Sequence, residues 1–447
     1  MNADLVVIGG GWAGCSAAWQ ASRRGLKVRL LEAARQLGGR ASSFRDTASG
    51  ETLDNGQHLF LGAYRDTLRL LDELGTAGFV EFDRPIRIPY LMADGRVEEL
   101  RGSGLPGPLD LGGGLARFGA LQPRDRVQLL RLGLRSWPAL ASAALGWIPA
   151  AAAGLSVADW LQACGQGAPI RSLLWEPMVL AALNARPEEA RLSEFLAVLG
   201  QGFLRGGRSA ALGRARAPLS QLLAPLPALL RLQGSDAELG ALALGARPLP
   251  GGGWRVLRQG GASLDSRRLV VALPARGAAR LLGTELAASL GLEREARRPA
   301  SAIVSLWLWS ESPLLPRPLQ AFGPQGGAQP RFHWGFSEAR AGGWRTCVVA
   351  SAAGELARFD SQALLASLAG FLAGRGRPYT WNRARVVREH AATVRFEPGS
   401  QTRLAQATTL PGLALAGDWT ETGLPATIEG AVRSGRLAFE SFSFDER

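Results

Sequence analysis

A chain of 447 residues is long enough for two domains with a buried core, and 47% hydrophobic against 20% charged residues excludes a disordered protein. The formal charge of +13 is carried by dispersed arginines, because Lys27 is the single lysine; without a dense basic tract interleaved with aromatics, nucleic-acid binding is not expected, and an anionic membrane surface suits the charge better. Cys15, Cys164 and Cys347 are too few and too far apart for a disulfide framework or a zinc site, so no metal is expected.

Asp4 to Ile8 reads as a short apolar strand, followed at once by Gly9-Gly10-Gly11-Trp12-Ala13-Gly14. A helix with small residues at Gly14, Ala17, Ala18 and Ala21 follows; Gly25 ends it, and Lys27 to Glu32 forms the next strand. That order predicts a parallel sheet with a right-handed crossover. A strand starting at residue 4 leaves no room for a secretory leader, and the cytoplasm is the expected compartment.

Each glycine of this turn has a mechanical task. Gly9 allows the tight bend, Gly11 lets a pyrophosphate approach the backbone, and Gly14 lets helix and strand pack closely. The helix amino terminus, with the backbone of Trp12 and Ala13, then turns N–H groups and a positive dipole end toward phosphate. Glu32, with Ala33 beside it, is placed to accept hydrogen bonds from ribose hydroxyls, so a dinucleotide site is expected. Leu37-Gly38-Gly39-Arg40 offers a second glycine pair and a guanidinium. Either Gly39 makes room for Arg40 to reach a pyrophosphate oxygen, or the segment is a surface turn with a solvated arginine.

Residues 124–135 put Arg124, Arg131 and Arg135 on one helical face, and residues 136–158 carry no charge. Pro138 and Pro149 interrupt that stretch and alanine dominates it, which argues against a membrane span. Two readings remain: a membrane-docking edge, or ordinary helices of a second domain. Residues 237–273 predict a return to the first sheet, with a turn at Gly252-Gly253 and strands at 254–257 and 269–273. Residues 301–309 alternate so that Ile303, Ser305, Trp307 and Trp309 share a face. Residues 331–336 are expected to group Phe332, Trp334 and Phe336 likewise in a second, aromatic-faced sheet. A last strand at 413–416 leads into Gly417-Asp418-Trp419 and a helix from about 426 to 440. A cofactor gripped by both ends of so long a chain is a flavin dinucleotide more often than a nicotinamide one.

GGGWAG with Glu32, LGGR at 37–40, LVVALP at 269–274, AGDW at 416–419 and TIEGAVRSG at 427–435 together resemble the FAD-dependent amine oxidase and carotenoid desaturase superfamily over nearly the whole chain. LDNGQHLFLGAY at 53–64, LLWEPMVLAALN at 173–184 and AGDWTETGLPATIEGAVRSG at 416–435 resemble most closely its hydroxysqualene dehydroxylases, enzymes of bacterial squalene and hopanoid synthesis. The resemblance implies an α/β fold. Its discontinuous Rossmann-like FAD-binding domain would span 1–85, 209–275 and 396–447. A second α+β substrate domain with a mixed sheet and helices would span 86–208 and 276–395.

The resemblance also implies site roles. Asp418, after Gly417, would bond the ribityl chain or pyrophosphate, and the helix opening at Thr427 and Ile428 would point at the flavin pyrimidine. Gly56 and Gln57 would lie beside the flavin ring. The family holds adenine with a backbone valine, where this chain reads Ala246-Arg247-Pro248, so the contact is expected to shift to a neighbour.

The implied reaction is reductive removal of a hydroxyl from hydroxysqualene, a hydrophobic isoprenoid. Protonating the allylic alcohol and releasing water would leave a delocalised cation, to which reduced FAD delivers hydride, with NAD(P)H or another reductant as electron source. His58 is the first candidate acid, against a role bonding the backbone. Glu176 is the second, against a helix-end ion pair. Trp307, Trp334 and Phe336 are candidates for a cation-stabilising pocket, or core packing residues. The single Lys27 and three tyrosines (Tyr64, Tyr90, Tyr379) do not support amine oxidation. A carotenoid desaturase and a non-catalytic prenyl-binding relative are the alternatives, and the oligomeric state is open.

Overall fold

The structure is a computed structural model that describes residues 3–325 and 332–442. The strand Ala3–Ile8 is apolar because both its faces are covered; only Asp4 is partly exposed. It pairs in parallel with Val28–Glu32 on one side and with the second half of Ser263–Val271 on the other. The helix Trp12–Arg23 joins the first two strands and is almost wholly buried, because the closing helix Ile428–Glu440 covers its outer face. That crossing demands glycine: a Cβ on Gly435 would sit 2.0 Å from the Ala13 carbonyl oxygen.

The first sheet runs Asp236–Leu239, Val28–Glu32, Ala3–Ile8, Ser263–Val271, Trp254–Arg258, Ala243–Pro248, with Leu413–Leu415 pairing in parallel on Ser263–Val271. Its strands come from three separated stretches of chain, which makes the Rossmann-like unit discontinuous, as expected. Gly252 and Gly253 form the hairpin turn, which closes as the Leu249 N–H donates to the Gly253 carbonyl at 2.9 Å.

The second sheet is mixed and has seven strands: Arg383–Val394, Ala300–Ser310, Gly343–Ala350, Trp334–Arg340, Leu319–Phe322, Arg87–Leu91 and Val97–Arg101. Alternation along Ala300–Ser310 sends Ile303, Trp307 and Trp309 to one core, with Trp334 and Phe336, and Val304, Leu306 and Leu308 to another. Phe332 departs from the expected grouping. It precedes the strand, where a period of two no longer applies, and packs in the opposite core 5.3 Å from the Phe371 ring. Arg331 of that segment lies outside the described residues.

Helices cover the aromatic face of this sheet. The arginine-bearing helix runs on through Pro138, from Pro123 to Leu145, and ends at Gly146 with φ 94°. The uncharged stretch is thus divided between this helix, a short turn at Ala150–Gly154, and the start of Val157–Ala163 capped by Ser156. Among the described residues no helix is long and apolar enough to cross a membrane.

Candidate active site

The first turn is built almost entirely from backbone. Gly9 has φ 106°, and a Cβ there would lie 2.5 Å from the Ala272 carbonyl oxygen. A Cβ on Gly14 would lie 1.8 Å from the Gly9 carbonyl oxygen, which is the close helix–strand packing expected. At Gly11 the nearest atom to such a Cβ is the Gly39 Cα at 4.0 Å, so space is kept free beside the bend. The helix amino terminus has no side-chain cap and no acid in its first turn. Glu32 is held in position, its carboxylate accepting from the Gly10 N–H at 2.5 Å and the Ala34 N–H at 2.7 Å, while Ala33 is exposed.

LGGR is not a free surface turn. The Gly38 N–H donates to the Gly10 carbonyl at 2.9 Å, and the Trp12 indole donates to the Ala41 carbonyl at 3.0 Å, clamping the segment against the first turn. Arg40 reaches across to Asp418 at 2.5 Å, and that carboxylate raises the guanidinium's pKa. Two residues 378 positions apart, each a candidate cofactor contact from its own motif, therefore meet. Gly417, with φ 149°, leaves no room for a Cβ beside the Trp419 indole, and its N–H donates to Ser434 Oγ at 2.9 Å. Thr427 caps the closing helix by accepting the Gly430 N–H at 3.1 Å, and Ile428 begins it.

The stretch Ala246-Arg247-Pro248 lies elsewhere. It pairs with Trp254–Val256 at the far edge of the sheet, and the chain beside Glu32 is instead Gly240-Ala241, whose N–H groups donate to the Ala34 and Glu32 carbonyls.

Two cavities flank residues 57–61. One, of about 110 Å³, is apolar, walled by Leu59, Leu61, Met178, Phe203 and Trp334, with Tyr64 and Thr427 at one side. The other, of about 280 Å³, is lined by Asp54, Gln57, Trp307, Phe336 and several arginines and glutamates.

The sequence pattern described as flavin containing amine oxidoreductase matches residues 12–438. A hydroxysqualene dehydroxylase of Rhodopseudomonas palustris is 31% identical, with 98% of each chain covered. The chain belongs to the flavin-containing amine oxidoreductases, in the hydroxysqualene dehydroxylase family. A chloroplastic 15-cis-phytoene desaturase of Solanum lycopersicum is 30% identical over only 38% of this chain and 28% of its own. In fold the chain is similar to cyclohexylamine oxidase from Brevibacterium oxydans, with a TM-score of 0.72, 17% identity and 98% of each chain covered.

Family membership makes the cofactor a flavin dinucleotide, and the residues fit one. The open space at Gly11, the uncapped helix end and the oriented Glu32 carboxylate suit phosphates and a ribose. The indole N–H groups of Trp307 and Trp334, one on each of the two cavities, are buried without a partner among the described residues. Gly56 approaches this region closely, a Cβ there lying 3.6 Å from Ser305 Oγ. Lys27 is exposed at the opposite, amino-terminal end of its strand, so it cannot reach a cofactor at the carboxyl end.

The catalytic candidates fare unequally. Burial alone drives His58 down to about 4, so at neutral pH its ring is uncharged and has no acidic proton to give. Glu176 opens the helix Glu176–Leu183, whose Met178, Ala181 and Ala182 face the apolar cavity; two residues before Met178, it is turned away from that wall. Of the three aromatic candidates only Trp334 borders the apolar cavity. Trp307 and Phe336 border the charged one, and Trp307 stacks on Arg345 at 5.2 Å.

Sequence reasoning passed over Tyr64 except as one of few tyrosines. It lines the apolar cavity together with Thr427, and burial raises its pKa, so its hydroxyl keeps its proton. Asp54, also passed over, has its pKa raised by burial and accepts from Ser43 Oγ at 2.7 Å and the Leu219 N–H at 3.0 Å. The only signal for either was membership of the 53–64 segment. Glu429 is fixed by the Asp66 and Thr67 N–H groups at 3.0 and 2.9 Å, tying the closing helix to Arg65–Glu73.

Proposed function

We propose that this chain reductively removes the hydroxyl of hydroxysqualene to give squalene, with electrons from NAD(P)H or another reductant. The observation that carries this reading is the apolar cavity that reaches Thr427, the cap of the helix facing the cofactor site. An isoprenoid chain suits its mostly apolar walls, and the two charged groups that line it, Glu429 and Arg433, are paired with each other at 3.4 Å. Reduced FAD, when bound, supplies the hydride that replaces the hydroxyl.

The residues of the chain supply the rest. Leu59, Leu61, Met178 and Phe203 exclude water, so that a cation left by the departing hydroxyl is not quenched. Trp334 presents the aromatic surface of that cavity, which favours positive charge. Tyr64 takes the role expected of His58. Its phenol hydrogen-bonds the hydroxyl oxygen and relays to it a proton, resupplied from solvent, so that the group leaves as water. The closing helix amino terminus stabilises negative charge gathering near Thr427.

The test is direction of reaction. Purified FAD-loaded protein with hydroxysqualene and reductant should yield squalene. Oxidation of a polyene precursor in the presence of an acceptor, with no squalene from the alcohol, would replace this reading with the desaturase one.

A further inference from the structure

The helix Pro123–Leu145 is amphipathic in the wrong sense for a soluble surface. Its buried residues include Asp125 and Ser136, whereas Val127, Leu130, Leu134, Trp137 and Leu145 are exposed, Leu130 at 63% and Leu134 at 71%. Steps of three, four and eight residues place them in one stripe. Trp147 just beyond is 76% exposed, and Leu109 of the neighbouring helix Pro108–Arg117 is 61% exposed. Exposed arginines, Arg117, Arg124, Arg131 and Arg135, border these positions. The only carboxylates on the two helices, Asp110 and Asp125, are buried and accept the Gly104 and Gln122 N–H groups at 2.7 and 3.0 Å. The outer face of these two helices is therefore an apolar ridge with cationic margins and no exposed carboxylate.

This face adjoins the substrate site. Both helices pack on the π-helical segment Val198–Leu204. Gly200 makes the approach possible, since a Cβ there would be 2.3 Å from the Ala143 carbonyl carbon, and Arg205 Nε donates to the Ala144 carbonyl at 2.7 Å. Val198, Gln201, Gly202 and Phe203 of the same segment line the apolar cavity. One helical layer thus separates ridge from cavity.

We infer that this face docks the protein on an anionic phospholipid bilayer, with Leu130, Leu134 and Trp137 buried among the acyl chains and the arginines at the headgroups. The inference rests on the isoprenoid reading only for its purpose, delivery of a lipid-dissolved alcohol. Charge selects lipid over a second copy of the chain, because two-fold pairing of this face would set arginine against arginine.

Co-sedimentation of the full-length, FAD-loaded protein with phosphatidylcholine vesicles, with and without phosphatidylglycerol, tests it. Binding should require phosphatidylglycerol and weaken with salt. The triple variant Leu130→Gln, Leu134→Gln, Trp137→Gln should lower the partition coefficient by about tenfold or more, with flavin absorbance and melting temperature unchanged. Leu232→Gln, an exposed leucine on another helix, should change nothing. Equal binding by wild type and triple variant, or no wild-type binding at all, would overturn the inference. So would a wild-type dimer that the triple variant converts to monomer without any vesicle binding. Turnover of detergent-dispersed hydroxysqualene separates the two ideas: squalene formed without vesicle binding removes the docking face alone, and vesicle binding without squalene removes the activity alone.

Discussion

The cofactor turn and the apolar cavity are made by opposite means. The turn uses backbone: its fit depends on missing Cβ atoms at Gly9, Gly11 and Gly14 and on N–H groups aimed by a helix. The cavity uses side chains from segments as far apart as Leu59 and Thr427. A backbone-built site tolerates almost no substitution, while a side-chain-built site can be retuned residue by residue. Binding of the cofactor and choice of substrate should therefore fail separately.

The largest effect is expected at Gly14→Val. Its side chain would enter the Gly9 carbonyl, at a cost above about 3 kcal/mol, and the protein should purify colourless with a sharply lower melting temperature. Asp418→Ala strands the Arg40 guanidinium and removes a charge-assisted contact. FAD affinity by fluorescence titration should fall about ten- to a hundredfold while the apoprotein still folds. A loss of turnover with unchanged affinity would move Asp418 out of the cofactor site.

On the other side of the comparison, Ala182→Trp should fill the apolar cavity. It should lower kcat/KM by about tenfold or more with full flavin content, and a colourless variant would show that the two regions are not separable. Tyr64→Phe removes only a donor, so kcat should fall about tenfold with the flavin spectrum retained, whereas unaltered kcat would exclude the phenol from the reaction. The smallest effect concerns His58. Its pKa in the folded chain, about 4, lies below the ordinary 6.5, so the fold favours the neutral ring. Stability from this residue is complete above pH 6.5 and is lost as the pH falls toward 4, by about 1 kcal/mol once partial solvent access is allowed for. His58→Gln should flatten that part of the acid-unfolding curve, and an unchanged curve would contradict the burial argument.

The same contrast explains what the sequence made legible. Glycines at fixed spacing, with Glu32 at the strand end, report backbone geometry directly, so the turn is readable from residue spacing alone and the LGGR segment narrows to two arrangements. The pairing of Arg40 with Asp418 is visible only in the structure, since neither motif says which side chain the guanidinium reaches. Cavity walls leave no such spacing. Trp307 and Trp334 both belong to aromatic-faced strands, yet only packing in three dimensions decides that they border different cavities. The same holds for His58: a histidine in a motif suggests an acid, but burial sets its protonation, and burial is a tertiary property. Pro138 misled in a milder way, since the helix accommodates it and continues to Leu145.

Whether reduced flavin, held by both ends of the chain, faces the apolar cavity is decided by an anaerobic single turnover. Protein whose bound FAD has been fully reduced is mixed with hydroxysqualene, and flavin absorbance and squalene are followed together. Reoxidation and squalene should appear at one rate in equal amounts, both slowed by Ala182→Trp. Squalene formed while the flavin stays reduced, or flavin reoxidised without squalene, would contradict it.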